Sequence, residues 1–256
     1  MISIAELPIE WQADRLAFAE KFVCNPDTAP ALSIEFYDSL PECHSVQYTD
    51  LDSDSEHFLR SWCGDIIFAD KKWKTAKSYY LSSADKDYAL PLAAICSRFS
   101  YFNALLFHAS FVKFKNKGIL FTGYSGVGKT TQAELWARYV DAQIVNGDKA
   151  FIREVDDVFS AYGLPWKGSS PYCLNEKAQL GGIVILRKSE ENHITRLVDN
   201  AAEMLMPHLF LPHWDEKCLD HALDTFDSLI RKVPVWLLEC RPDEEAVKIT
   251  HDAIFG

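Results

Sequence analysis

The spacing of apolar residues changes character twice along the chain. Through residues 1 to 87 it alternates in short pieces: Ala31 to Tyr37 reads as a strand, and Gly64 to Ala69 and Ser78 to Ser82 read as two more. Asp14 to Val23 reads as a short helix, and Asp50, Asp52, Asp54 and Glu56 as an exposed acidic loop rather than a metal site. From Tyr88 to Phe107 the period lengthens, with Leu92, Ile95, Phe99, Phe102 and Leu106 on one face of a predicted helix. Alternation then returns from His108, turns at Asn116 to Gly118, and continues as an apolar strand from Gly118 to Thr122, so a hairpin is expected.

Beyond that hairpin, helix and strand patterns interleave. Thr131 to Val140 predicts a helix, Ala142 to Asp148 a short strand, and Lys149 to Tyr162 a hairpin turning at Asp156 and Asp157. Gly163 to Pro171 is a loop rich in turn residues, and Gly181 to Leu186 is a buried strand. Helices follow over Asn200 to Leu211 and Asp215 to Lys232, then a strand over Val233 to Cys240 and a helix over Glu244 to Ile254 that starts after Pro242 and Asp243. Two hairpins flanking one strand–loop–helix unit predict an α/β fold on a mixed sheet, over residues 88 to 256, preceded by a mostly β region, residues 1 to 87, of unassigned role.

The stretch from Gly123 to Thr130 fits the phosphate-binding loop pattern G-x-x-x-x-G-K-[ST] at every fixed position, with Tyr124, Ser125, Gly126 and Val127 in the variable places. It lies where the chemistry needs it, after a strand and before a helix. Glycines let several N–H groups point at one anion, and the helix N-terminus adds partial positive charge. Gly123, Ser125, Gly126, Val127, Gly128, Lys129, Thr130 and Thr131 are therefore the nucleotide-binding candidates. Lys129 would reach the β- and γ-phosphates, and the Thr130 hydroxyl would ligate magnesium. Asp148 ends the next strand nineteen residues beyond Lys129, where a carboxylate could take a hydroxyl proton, face the metal, or simply close a turn.

Composition narrows the function classes. With 48% hydrophobic and 25% charged residues the 256-residue chain is globular, and a net charge of −11 argues against a nucleic-acid partner. Seven cysteines, none closer than nineteen residues to another, exclude C-x-x-C pairs and predict reduced thiols in a cytoplasmic protein. The N-terminus lacks the basic stretch of a signal peptide, and the longest uncharged run, fourteen residues from Phe99 to Val112, falls short of the roughly twenty that a spanning helix needs. No membrane partner is expected, and a homo-oligomer is left open.

The segment from Gly118 to Thr131, with His108, Ala109 and Ser110 ahead of it and Asp148 behind, resembles the HPr kinase/phosphorylase-like P-loop kinases, and more distantly ATP-dependent phosphoenolpyruvate carboxykinase. The loop from Gly163 to Gly168 and the segment from Asn175 to Asn192 are similar to those of short bacterial members. The resemblance implies the mixed-sheet core of that family over residues 88 to 256, use of ATP and magnesium, and transfer of the γ-phosphate to a hydroxyl, serine above all, of a protein or peptide. It favours His108 as a residue that contacts phosphate or hydrogen-bonds Asp148 over a histidine merely satisfied in the core. Where the family pattern has a pair of acids, this chain has Gly147 and Asp148. Lys167 and Arg187 are candidate stabilisers of transition-state charge, or solvated cations. His208, His213 and Asp215 are separated by Pro212, with Pro207 ahead of them, and read as loop residues in preference to a metal cluster. A small-molecule kinase and a nucleotide-binding regulatory protein without transfer activity stand as alternatives.

Overall fold

The structure, a computed structural model, describes residues 1–12, 17–25, 27–39, 55–80 and 88–256. The acidic positions Asp50, Asp52 and Asp54, the first part of the expected helix at Asp14, and the end of the expected strand at Ser82 lie outside the described residues.

Two mixed sheets organise the chain. The first contains β1 (Ile2–Ile4), β2 (Leu7–Trp11), β3 (Leu32–Tyr37), β4 (His57–Arg60), β5 (Ile66–Ala69) and β6 (Thr75–Tyr79), in the order β1-β2-β3-β6-β5-β4. Pairing is parallel at β2/β3 and β3/β6 and antiparallel elsewhere. Strand β3 alternates buried and less buried positions, so one face turns inward. Residues 17 to 22 form a 3-10 turn.

Helix α1 (Ala89–Ser100) lies between this sheet and the rest, and its buried Leu90, Ala94, Ile95 and Phe99 share one core with Ile9, Trp11, Ile34 and Trp73 on one side and Leu106, Phe151 and Tyr162 on the other. The predicted helix was to run to Phe107. It stops at Ser100, because Asn103 takes a left-handed backbone (φ 54°) and Ala104 to Phe107 are buried on both faces as strand β7 (Ala104–Phe107). A run buried on both sides carries no alternation, so its periodicity cannot distinguish strand from helix.

The second sheet continues with β8 (Ala109–Phe114), β9 (Lys117–Thr122), β10 (Gln143–Asn146), β11 (Ala150–Val155), β12 (Val158–Tyr162), β13 (Lys177–Lys188), β14 (His193–Leu197), β15 (Leu209–Phe210) and β16 (Val235–Cys240). Its main path is β10-β8-β9-β13-β12-β11-β7-β15. The hairpin turns sit at Lys115 and Asn116, one residue earlier than expected, and at Asp156 and Asp157, all with positive φ, as two-residue turns between right-twisted strands require. Strand β13 is twice the expected length. Its first part pairs antiparallel with β12, its second runs parallel between β9 and β16, and the register against β9 shifts across Gly181. Strand β14, antiparallel to β16, was not anticipated.

Helix α2 (Lys129–Val140) and α5 (Glu244–Phe255) cover one face of this sheet around Trp136, while α4 (Glu216–Lys232) packs Ala222, Phe226 and Leu229 beneath Phe107, Ile152 and Leu205. The expected helix from Asn200 to Leu211 is shorter, α3 (Ala201–Leu205), because Pro207 converts the next turn to a 3-10 form before β15. Asp243 and Asp215 cap α5 and α4 by accepting the N–H of Ala246 and Cys218. No helix among the described residues is long and apolar enough to cross a membrane, and none of the described cysteines is in a disulfide.

Candidate functional site

The glycine-rich loop leaves β9 and feeds directly into α2. Gly123, Gly126 and Gly128 have φ of 144°, 74° and 113°, values that side chains oppose, and Gly128 is the left-handed cap from which the helix starts. Lys129 folds back over the loop, its ammonium donating to the carbonyls of Gly123 (3.1 Å) and Tyr124 (3.3 Å). Burial lowers its pKa and the Asp148 carboxylate opposes that shift. The Thr130 hydroxyl donates to the carbonyl of Gly147 at 3.1 Å, and Ser110 donates to the same oxygen at 3.0 Å. These bonds join α2, β8 and the end of β10.

Asp148 is positioned by a bend in the chain rather than by regular strand pairing. The register of β10 against β8 slips between Ile144 and Asn146, and the fully buried Asn146 side chain accepts the N–H groups of Asp148 (2.9 Å) and Lys149 (3.1 Å). The same amide donates to the carbonyls of Leu164 and Trp166, tying the Gly163–Pro171 loop to the turn. The Asp148 carboxylate meets His108 Nδ1 at 3.4 Å on one oxygen and the Lys149 ammonium on the other. A Cβ on Gly168 would stand 2.8 Å from its Cγ, so the loop lies close over the carboxylate. A Cβ on Gly147 would stand 2.0 Å from Ser170 Oγ, and in this packing a second acid has no room.

His108 joins β7 to β8, its N–H donating to the carbonyl of His208 (2.9 Å) and its own carbonyl accepting the Thr122 hydroxyl (2.8 Å). Burial, then the Lys129 charge, lower its pKa, with Asp148 opposing. His208 is buried edge-on to the Tyr124 ring at 5.5 Å, and burial, Lys129 and His108 lower its pKa too. Both imidazoles are thereby biased to the neutral form, able to accept a proton or a hydrogen bond.

Two clefts flank the loop. One, of about 560 Å³, is lined by Tyr124, Ser125, Val127, Arg187 and His208, and the other, of about 710 Å³, by Gly128, Thr131, Gln132 and Arg241 among others. Of the candidates read from the sequence, Lys129, Thr130, Asp148 and His108 converge on one end of the loop. Arg187 lines the first cleft, paired with Glu239 at 3.1 Å. Lys167 is exposed; its carbonyl accepts the Ser170 N–H, and its ammonium offsets part of the upward pull of burial on the Cys173 thiol. His208 was read as a loop residue without a part in this site, and Lys149 was not singled out. The break that Pro207 makes in the predicted helix was the available signal for the first, and adjacency to Asp148 the signal for the second. His213 turns to the carbonyl of Leu211 and Asp215 caps α4, and no group of three metal-binding side chains is found among the described residues.

No protein-family model and no curated protein matches this chain. Among solved structures, the HPr(Ser) kinase/phosphatase from Coxiella burnetii is similar over 59% of this chain and 99% of that one, at 13% identity and a TM-score of 0.36. A likeness so distant carries no argument about activity.

Proposed function

We propose that the protein is a phosphotransferase that moves the γ-phosphate of ATP to a hydroxyl group. The observation that carries this reading is the meeting of Lys129, Asp148 and His108 at one end of a glycine-rich loop whose backbone is already curled for an anion. Phosphoryl transfer asks mainly for positioning, charge neutralisation and a group to receive the hydroxyl proton. Loop N–H groups and Lys129 would hold the β- and γ-phosphates. Thr130 and Asp148 form an all-oxygen donor set of the kind magnesium takes, and the Thr130 hydroxyl, donating to Gly147, keeps its lone pairs for a cation. Magnesium, when bound, would supply neutralisation of phosphate charge. Asp148, steadied by His108, would accept the proton of the attacking hydroxyl.

Serine in a protein or peptide is the acceptor that the sequence resemblance favours. A nucleotide-binding regulatory protein is the second reading, favoured by one observation: Ser170 fills the space beside Gly147 where the family pattern has its other acid. The deciding measurement is transfer of label from γ-labelled ATP with magnesium into host lysate, beside Lys129→Ala. A labelled protein band that vanishes in the variant supports the kinase. ATP binding with no label on any protein or small molecule would leave the regulatory reading in its place.

A further inference from the structure

We propose that the His208 imidazole donates a hydrogen bond to the terminal phosphate of the bound nucleotide, and so sets the preference of the site for a triphosphate over a diphosphate. This rests on the phosphate-binding reading of the loop and adds to it a residue from outside the loop and the property that residue controls.

Among the described residues His208 is the most deeply buried histidine, 6% exposed. His57 and His108 face carboxylates, His213 meets the carbonyl of Leu211, and His251 lies beside Asp252. The His208 ring has no hydrogen-bond partner among the described residues; burial and the charges of Lys129 and His108 are what act on it. Buried side-chain polar groups are nearly always paired, so an unpaired ring marks a missing partner. A ligand can supply it. Unlike the indole nitrogens of Trp136 and Trp236, which are unpartnered and sealed, the His208 ring borders an open cleft of about 560 Å³.

The backbone holds this residue at the lysine end of the loop. Leu209 and Phe210 pair antiparallel with Phe107 and Leu106, which brings His208 opposite His108, and the His208 carbonyl accepts the His108 N–H at 2.9 Å. Tyr124, in the loop itself, meets the His208 ring edge-on at 5.5 Å. Lys129 is near enough for its charge to hold the imidazole pKa down, and a lysine at this place in the pattern goes to the β- and γ-phosphates. The γ-phosphate is therefore the one that His208 meets. Kept neutral, the imidazole has one N–H to give and adds no charge to oppose Lys129.

Calorimetric titration of ATP and of ADP with magnesium tests this on the full chain. His208→Phe keeps a ring and removes both nitrogens, and should lower the ratio of ATP to ADP affinity by about tenfold, with ADP itself changing by less than about twofold. His208→Gln, which returns an N–H donor, should recover most of that ratio. His208→Leu, read in parallel, serves if the phenylalanine variant does not fold. An unchanged ratio, equal weakening of both nucleotides, or a glutamine variant no better than the phenylalanine one overturns the assignment and leaves the phosphate site standing. Lys129→Ala should weaken both nucleotides. If it weakens neither, or if the native chain binds neither, the phosphate reading fails and the role of His208 with it.

Discussion

Charged groups buried against the first sheet and charged groups buried at the glycine-rich loop are treated in opposite ways. Beside the first sheet, Asp215 receives the Trp73 indole N–H at 2.8 Å, lies 3.2 Å from His57 and caps α4, while Arg98 donates to the carbonyls of Ala31 and Lys72. Those partners lie far apart in sequence and close together in a fixed core. At the loop, Lys129 borrows two carbonyls of the loop itself. A structural charge is saturated by partners that stay. A charge that is to serve a ligand, as proposed for Lys129, needs partners it can exchange, and this separates the two regions more sharply than burial does.

The comparison breaks most visibly at Asp148. Asp148→Asn should lower phosphoryl transfer by about 10²- to 10⁴-fold with ATP affinity little changed, measured by steady-state transfer and calorimetry; an undiminished rate would make Asp148 a turn residue. Next comes Gly147→Asp, which supplies the second acid but drives a Cβ into Ser170, and should cost about 1–3 kcal/mol in denaturant unfolding, part of it restored by Ser170→Gly. No loss of stability would show that the Gly163–Pro171 loop yields easily. Trp73→Phe acts on the other region: it strips the indole donor from a buried carboxylate and should cost about 1–2 kcal/mol while transfer is unaffected.

The smallest effect is a difference in pH window. His108 and His208 have lowered pKa values in the folded chain, so below their ordinary value of 6.5 the unfolded chain binds more protons and stability falls with pH. Burial alone would raise the Asp215 carboxyl, but the N–H donors of Trp73 and Cys218 and the nearby His57 outweigh it and hold it below its ordinary 3.8, so its contribution is lost only at more acid pH. Thermal melts across pH should show His208→Asn flattening the loss just below pH 6.5 and Trp73→Phe altering only the more acid limb. A native melting temperature that is flat from pH 7 to about pH 5 would contradict the histidine assignment.

The parts legible in the sequence were those specified locally. The loop from Gly123 to Thr130, the strand before it and the helix after it all follow from neighbouring residues, as do both hairpins and the caps of α4 and α5. Strand β7 was hidden because Leu105 and Leu106 are both buried, on opposite faces, and imitate a helical stripe. Strand β1 is three residues long, Pro8 interrupts β2, and β14 has a single buried position, so none of them declares a strand pattern. In the site, Asp148 could be read from its strand, but His208 and Lys149 gain their meaning from chain segments brought together only by folding, and no local spacing announces that. The absent second acid was visible as Gly147, whereas the group that occupies its space, the Ser170 hydroxyl, lies 23 residues on across a loop.

The grip of Lys129 on its own loop has a consequence for selectivity. Two carbonyl dipoles solvate the ammonium, so an anion that takes up Lys129, as proposed, would have to outcompete both. A weakly charged, diffuse anion gains little by that exchange, whereas a polyphosphate gathers the ammonium and several amides at once. On the phosphate-binding reading the lysine would thus act as a threshold, setting a minimum charge density for admission to the loop.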